Sequence, residues 1–210
     1  MSHKVYCLMG KFASGKTTVA KLLEDRYNLK RVVTCTTRPK RENEREGIDY
    51  FYLTDEQFEV KVKMGELAAV NRIEKFDAGN EAVFPFRKLL SLFKKRYVKK
   101  YGVPIDKINL EESAYLLVIE PYGYFDLLNK MGSENVKAIF LKLDDKERMF
   151  RALHREQNPN CEDICLKYIE ELEYYNGIED RCDKIIENVY TSDKAAEEIY
   201  EFILESENEK

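Results

Sequence analysis

The chain has 210 residues and a formal net charge of −4, enough length for one α/β core with small appendages and a charge that argues against general nucleic-acid binding. No apolar run reaches the length of a membrane span, and the first four residues lead straight into a predicted strand, which leaves no room for a signal peptide. Five cysteines without a framework spacing fit a reducing cytoplasm better than a disulfide scaffold.

The first predicted element is an apolar, β-prone strand, Val5-Tyr6-Cys7-Leu8-Met9. Gly10-Lys11-Phe12-Ala13-Ser14-Gly15-Lys16-Thr17 follows and fits G-x-x-x-x-G-K-[ST], the loop that cradles a nucleotide polyphosphate. A helix from Thr17 to Tyr27 comes next, with Val19, Ala20, Leu22 and Leu23 on one side. Strand, glycine loop and helix stand in the order the motif needs. Glycines let backbone approach phosphate without a Cβ in the way. Loop N–H groups and the helix N-terminus then attract the anion. Lys16 supplies a point charge for the β- and γ-phosphates, and the Thr17 hydroxyl is a candidate Mg²⁺ ligand. The candidate ATP-binding residues here are Gly10, Ala13, Ser14, Gly15, Lys16, Thr17 and Thr18.

Arg31 to Thr36 reads as a second strand, followed by a polar segment from Thr37 to Asp49 and a short strand, Tyr50 to Leu53. Thr54 to Gln57 has the form of a capping box and opens a helix to about Met64, stopped by Gly65. The pattern between Glu66 and Pro85 selects no element. Phe86 to Lys100 is predicted helical from the stripe Phe86, Leu89, Leu90, Phe93 and Tyr97, with Gly102 and Pro104 as its end. Its basic residues Arg87, Lys88, Lys94, Lys95, Arg96, Lys99 and Lys100 make a wet basic face or a surface for an anionic partner.

Ala114 to Ile119 and Ala138 to Leu143 are continuous apolar runs, expected as buried parallel strands. Asp144 to Glu147 resembles a cap, opening a helix that carries Arg148, Arg151 and Arg155 and breaks at Asn158-Pro159. A further helix runs from about Asp163 to Asn176, with Gly177 as its stop. Cys161 and Cys165 stand one helical turn apart with only His154 near, and read as ordinary thiols rather than a metal site. Lys184-Ile185-Ile186 is a last strand within Asp183–Asn188, and Ala195 to Leu204 a terminal helix with Ala196, Ile199, Tyr200 and Ile203 inward. The alternation of strands and helices predicts an α/β/α three-layer domain around a parallel sheet.

A second constellation suits a second phosphate. Thr34, Thr36 and Thr37 precede Arg38 and Arg41, and Glu44, Gly47, Asp49, Tyr50 and Phe51 follow. Arginine forks match phosphate oxygens in two-point contacts, and a tyrosine hydroxyl can donate another bond. The string Thr-Thr-Arg-Pro-x-Arg-x-x-Glu-x-x-Gly-x-Asp-Tyr-Phe resembles the signature of the guanylate kinase family, at the right distance from the glycine loop. The resemblance implies a P-loop core (1–33, 114–144 and 178–210), a monophosphate-binding region (34–113) and a mobile lid (145–177). It implies ATP and Mg²⁺ as co-substrate and metal, and a nucleoside monophosphate as acceptor, most simply GMP or dGMP. Arg38, Arg41 and Tyr50 would hold the acceptor phosphate, Thr34 would lie near its base, and Glu44 would fix the arginine loop.

Arg151-Ala152-Leu153-His154-Arg155 looks like the family's lid motif, and i, i+4 spacing puts Arg151 and Arg155 on one helix face as catalytic candidates. Lys167 stands one residue from the place of a further lid arginine, and Asp183 to Asn188 resembles the segment near the donor's adenine, with Asn188 its candidate ligand. Glu120 stands where the family has the second aspartate of Asp-x-Asp-x-x-Gly and is open to two roles, the acceptor base or the Mg²⁺ water shell. The chain departs from the pattern after Gly65-Glu66-Leu67: Ala69 stands near the expected acidic residue, and the Tyr-Gly-Thr/Ser element is missing, with Gly79-Asn80 as its remnant. Glu66, Glu74, Glu81 and Glu120 are the possible substitutes for the guanine-reading carboxylate. Two rival readings stand beside this one: a kinase of the same fold acting on a different phosphorylated small molecule, which the altered base-reading segment favours, and a non-catalytic guanylate-kinase-like binding module, which the intact Gly15, Lys16 and Thr17 speak against. The sequence leaves the oligomeric state open.

Overall fold

A computed structural model of the chain describes residues 3–42, 44–76, 96–155, 159–189 and 191–208. They divide into two compact units, Met1–Val32 with Lys107–Lys210, and Val33–Asp106.

The larger unit is built on a parallel sheet. Its strands are β1 (Val5–Met9), β2 (Lys30–Arg31), β7 (Tyr115–Val118), β8 (Val136–Lys142) and β9 (Lys184–Glu187), in the order β2-β7-β1-β8-β9. Central β1 pairs with β7 from Val5↔Tyr115 to Leu8↔Val118 and with β8 from Val5↔Val136 to Met9↔Phe140. All five residues of β1 are buried, as expected of a strand covered on both faces. Helices α1 (Lys16–Tyr27) and α6 (Ser192–Asn208) cover one face: Val19, Ala20 and Leu23 with Ala195, Ala196, Ile199 and Ile203 close over Tyr6, Leu8, Leu116, Ile139, Leu141 and Ile186. Each such aliphatic side chain contributes roughly 1.5–3 kcal/mol by burial.

Helix α3 (Pro121–Met131) buries Tyr124 and Leu127. Sequence reading missed it, although Pro121 at its first position is a regular helix start; Gly123, buried inside the helix, disguises the pattern. Helices α4 (Asp145–His154) and α5 (Cys161–Tyr174) complete the unit. Asp144 caps α4 as expected, accepting from the N–H groups of Lys146 at 2.9 Å and Glu147 at 3.3 Å.

The smaller unit holds β3 (Cys35–Thr36), β4 (Phe51–Tyr52), α2 (Asp55–Lys63), β5 (Leu67–Phe76) and β6 (Arg96–Pro104), its sheet ordered β4-β3-β6-β5. Thr54 forms the predicted capping box: the Gln57 N–H donates to its Oγ1 at 3.2 Å, and its own N–H donates to Gln57 Oε1 at 2.9 Å. Cys35, Phe58 and Leu67 form the small core.

Two expectations are corrected. The strand expected over Arg31–Thr36 is two short strands in different sheets, β2 and β3. The helix expected over Phe86–Lys100 is wrong where it can be judged: residues 96–104 are β6, antiparallel to β5 with Arg72 opposite Lys100 and Asn71 opposite Tyr101, while 86–95 lies outside the described residues. A non-local ladder decides this segment, and local periodicity cannot see it. Gly102 and Pro104 therefore belong to the strand rather than ending a helix. Gly102 lies opposite Cys35, and a Cβ there would stand 3.3 Å from Leu67 Cδ1. Lys100 is not part of a wet basic face either; its ammonium pairs with Asp55 at 2.8 Å and Glu59 at 2.9 Å on α2. Among the described residues, no helix is long and apolar enough to cross a membrane.

Candidate nucleotide site

The glycine loop leaves the carboxyl end of central β1, where open α/β sheets bind their ligands, and feeds α1. Two of its glycines are required. A Cβ on Gly10 would stand 2.6 Å from the Leu141 carbonyl and 2.7 Å from Ser14 Oγ; Gly15 has φ +97°, and a Cβ there would meet Asn188 Nδ2 at 2.5 Å. Ala13 also turns left-handed, with φ 61°. The N-terminus of α1 has no capping side chain and no acidic residue in its first turn. Its exposed N–H groups and positive end are left for an outside anion. Thr17 and Thr18 are exposed on that turn, and the Ser14 hydroxyl is buried without a partner. These residues fit a polyphosphate with its metal.

Lys16 Nζ donates to the Gly10 carbonyl and to the Lys11 carbonyl at 3.2 Å. Burial lowers its pKa, while the charges of Glu120 and Glu171 oppose that shift. A buried ammonium satisfied only by carbonyls gains most from an arriving anion.

The larger unit brings several other candidates around this loop. Arg151 on α4 donates from Nε to Glu147 Oε1 at 2.9 Å and from Nη2 to the Asn188 carbonyl at 3.5 Å. Arg155 lies just beyond the helix and is exposed. Lys167 places its ammonium over the Phe12 ring, 4.7 Å from the centroid. Asn188 is fully buried and donates from Nδ2 to the Ser14 carbonyl at 2.8 Å. Through that bond it braces the glycine loop at Ser14. Glu120, the N-cap of α3, receives the Tyr175 hydroxyl, which also lies 2.8 Å from the Gly10 carbonyl. Sequence reading missed Glu171, Tyr168 and Tyr175; nothing on an amphipathic helix marks which polar residues turn inward. Cys161 and Cys165 are exposed free thiols, and the described residues contain no cluster of His, Cys, Asp or Glu able to hold a metal.

In the smaller unit, Arg38 is 6% exposed and forked onto Glu44: Nη1 donates to Oε2 at 2.7 Å and Nη2 to Oε1. Nη1 also donates to the Pro39 carbonyl at 3.0 Å. The guanidinium lies 4.8 Å from the centre of the Tyr50 ring. Glu44 in turn receives the Arg41 N–H at 2.9 Å and the Tyr52 hydroxyl at 2.7 Å. Glu44 thus ties the arginine loop together, and the Arg41 side chain is exposed. Tyr52 is a member of this group that sequence reading took only for a strand residue. Thr34 is half-buried beside β3.

The Arg38 guanidinium, ahead of the Arg41 N–H and the Tyr52 hydroxyl, holds the Glu44 carboxyl down to about 2. Burial, and then the Glu44 carboxylate, push the Tyr52 hydroxyl up to about 12. A depressed carboxyl stabilises the fold above its unfolded value of 4.5 and loses that contribution as pH falls from there toward about 2. Thermal unfolding followed from about pH 6 down to about pH 2 is expected to show a shallower acid decline in Glu44→Gln than in the wild type. Parallel declines would show that the pair is not coupled to folding.

Comparison with known proteins agrees with this geometry. The family description "Guanylate kinase" matches residues 2–75. The chain is 30% identical to a guanylate kinase of Fusobacterium nucleatum over 188 residues, covering 88% of this chain and 87% of that one. It is 30% identical to a guanylate kinase of Wolbachia pipientis over 190 residues, covering 89% and 82%. Among solved structures it is similar to guanylate kinase from Anaplasma phagocytophilum, with a TM-score of 0.61, 25% identity, and coverage of 100% of this chain and 88% of that one.

Proposed function

Because the chain belongs to the guanylate kinase family, we propose that it transfers the γ-phosphoryl group of ATP to a nucleoside monophosphate, most simply GMP or dGMP, in the cytoplasm. The homologues support a nucleoside-monophosphate kinase. The observation that carries the reading is the loop itself: two glycines with no room for a Cβ, an uncapped helix N-terminus, and Lys16 bound only to carbonyls.

Phosphoryl transfer needs positioning and charge neutralisation more than covalent chemistry. The amides of the glycine loop and Lys16 hold the donor's phosphates. Thr17 would hold Mg²⁺, which when bound neutralises charge between the β- and γ-oxygens. Arg151 turns from Glu147 toward the moving phosphoryl group, with Arg155 and Lys167 as additional cations. Arg38, Arg41 and Tyr50 orient the acceptor phosphate so that its oxygen can attack in line, and Glu44 keeps the Arg38 fork rigid. Thr34 lies toward the acceptor base. Asn188 serves the donor indirectly, by supporting the loop at Ser14.

The guanine reader is the open part. Glu66 is engaged by Lys61 at 2.6 Å. Glu81 lies outside the described residues, as does Gly79-Asn80. Glu74 lies on β5 opposite Val98. Ala69 has φ 51° inside the β-bulge between Ala68 and Asn71, and its side chain offers no acceptor. That favours a second reading, a kinase of this fold with a different monophosphorylated acceptor.

The test is ATP turnover with GMP, dGMP, AMP, CMP and UMP as separate acceptors. GMP and dGMP are expected to exceed AMP by about 10⁴-fold in kcat/KM if a carboxylate reads the base. Preference for another acceptor selects the second reading. ATP binding without turnover of any acceptor selects a binding module.

A further inference from the structure

Helix α5 and its C-cap residue turn Tyr168, Glu171 and Tyr175 toward the first half of the glycine loop. Phe12 is gripped on every side. Its N–H donates to Glu171 Oε1, and its carbonyl accepts from Arg148 Nη1 at 2.9 Å. Its ring lies beneath the Lys167 ammonium and meets the Tyr168 ring edge-on, with centroids 6.3 Å apart. Arg148 is 2% exposed, donates to Glu171 Oε2 at 2.8 Å and to Asp145 Oδ1 at 2.8 Å, and stacks on Tyr168 at 4.5 Å.

A buried ion pair is weak evidence for stability, because an apolar pair of the same volume is often as good or better. What this pair fixes is conformation. The Arg148 bond holds the Phe12–Ala13 peptide, and the orientation of that peptide sets φ at Ala13. Ala13 has φ 61°, a left-handed turn that a residue with a Cβ adopts only at a steric cost. The Ser14 N–H that follows this turn donates to the Lys11 carbonyl at 3.1 Å, which leaves an anion nest to the N–H groups from Gly15 onward. Without a glycine at position 13, the loop needs outside support to stay in this shape.

We infer that Glu171 and Arg148 are positioning residues for the phosphate loop: by clasping both polar atoms of Phe12 they hold Ala13 in the left-handed turn that presents the loop amides to ATP. The clasp makes helix α5 part of the donor site, and its effect falls on ATP rather than on the acceptor. The inference rests on the proposed binding of ATP by this loop.

Two double variants isolate the clasp while avoiding a stranded buried charge. Arg148→Met with Glu171→Leu removes both bonds to Phe12. Arg148→Met with Glu171→Gln restores an acceptor for the Phe12 N–H. Each is measured by ATP titration, by titration with GMP, and by amide hydrogen exchange at Phe12 and Ala13. The Leu variant is expected to bind ATP about tenfold more weakly than the wild type, as loss of a charge-assisted hydrogen bond would produce. Its GMP affinity is expected to stay within about twofold, since the arginine loop is untouched. Its two loop amides exchange faster, and the Gln variant recovers part of the ATP affinity and of the Phe12 protection. Equal ATP affinity in the Leu variant and the wild type overturns the inference, as does equal loss toward ATP and GMP, or a Gln variant no better than the Leu variant. Absence of ATP binding in the wild type itself overturns the proposed function and the inference with it, which separates the two failures.

Discussion

Lys16→Ala is expected to lower kcat about 10²–10³-fold, the scale for removing one preorganised donor from developing charge, and to weaken ATP binding. Among the described residues this ammonium donates to the Gly10 and Lys11 carbonyls, and burial works against its charge, opposed by Glu120 and Glu171. An incoming polyphosphate would add counter-charge in a partly desolvated site, where the interaction is stronger than in water. The loop glycines and the N-terminus of α1 do not depend on this side chain, so the variant keeps its fold. Calorimetric titration with ATP, beside steady-state rates, reads both effects. Unchanged ATP affinity would remove the glycine loop from the donor site.

Arg151→Ala is expected to cost about 10³-fold in kcat, the lower end for a transition-state arginine, with a smaller change in the KM for ATP. Arg151 is held at 2.9 Å by Glu147 on its own helix and at 3.5 Å by the Asn188 carbonyl, the latter at the long limit of a hydrogen bond. Its Nη1 would stand 3.8 Å from a Cβ on Gly15, so it already lies over the loop. A partly exposed i, i+4 pair with Glu147 holds it weakly, and reorientation toward a phosphoryl group costs little. Arg151→Lys is not expected to restore the rate, because a point charge lacks the planar fork. Steady-state kinetics across both substrates checks this; a fall in ATP affinity with kcat intact would make Arg151 a ground-state ligand instead.

The parts of the fold that sequence disclosed are those fixed by local chemistry. Strand, glycine loop and helix from Val5 to Tyr27 follow from an apolar run, glycines and an amphipathic stripe that are contiguous in sequence. The Thr54 capping box and the Asp144 cap are equally local. Strand β6 was hidden because its ladder partner, Leu67–Phe76, lies outside any local sequence window, while the residues just before it carry apolar side chains at helical spacing. The break between β2 and β3 was hidden because a single β-prone run, Arg31 to Thr36, serves two sheets.

The site divides the same way. The Arg38–Glu44 fork lies within six residues, and its motif made it visible. Glu171, Arg148 and Tyr175 reach Phe12 and Gly10 across the whole chain, and a glutamate on an amphipathic helix has the same sequence signature whether it meets water or a loop amide. The Asn188 bond to the Ser14 carbonyl is equally long-range, and nothing in the sequence around Asn188 announces that contact.

The central claim is that one reaction uses both anion sites, that of the glycine loop and that of the arginine loop. Titration with a bisubstrate dinucleotide, adenosine and guanosine joined through five phosphates, tests it most directly in the wild type, Lys16→Ala and Arg41→Ala. The account predicts binding tighter than ATP or GMP alone, as expected when two linked groups engage two sites at once, and loss of that gain in both variants. A dinucleotide that binds no more tightly than ATP and is indifferent to Arg41→Ala would contradict it.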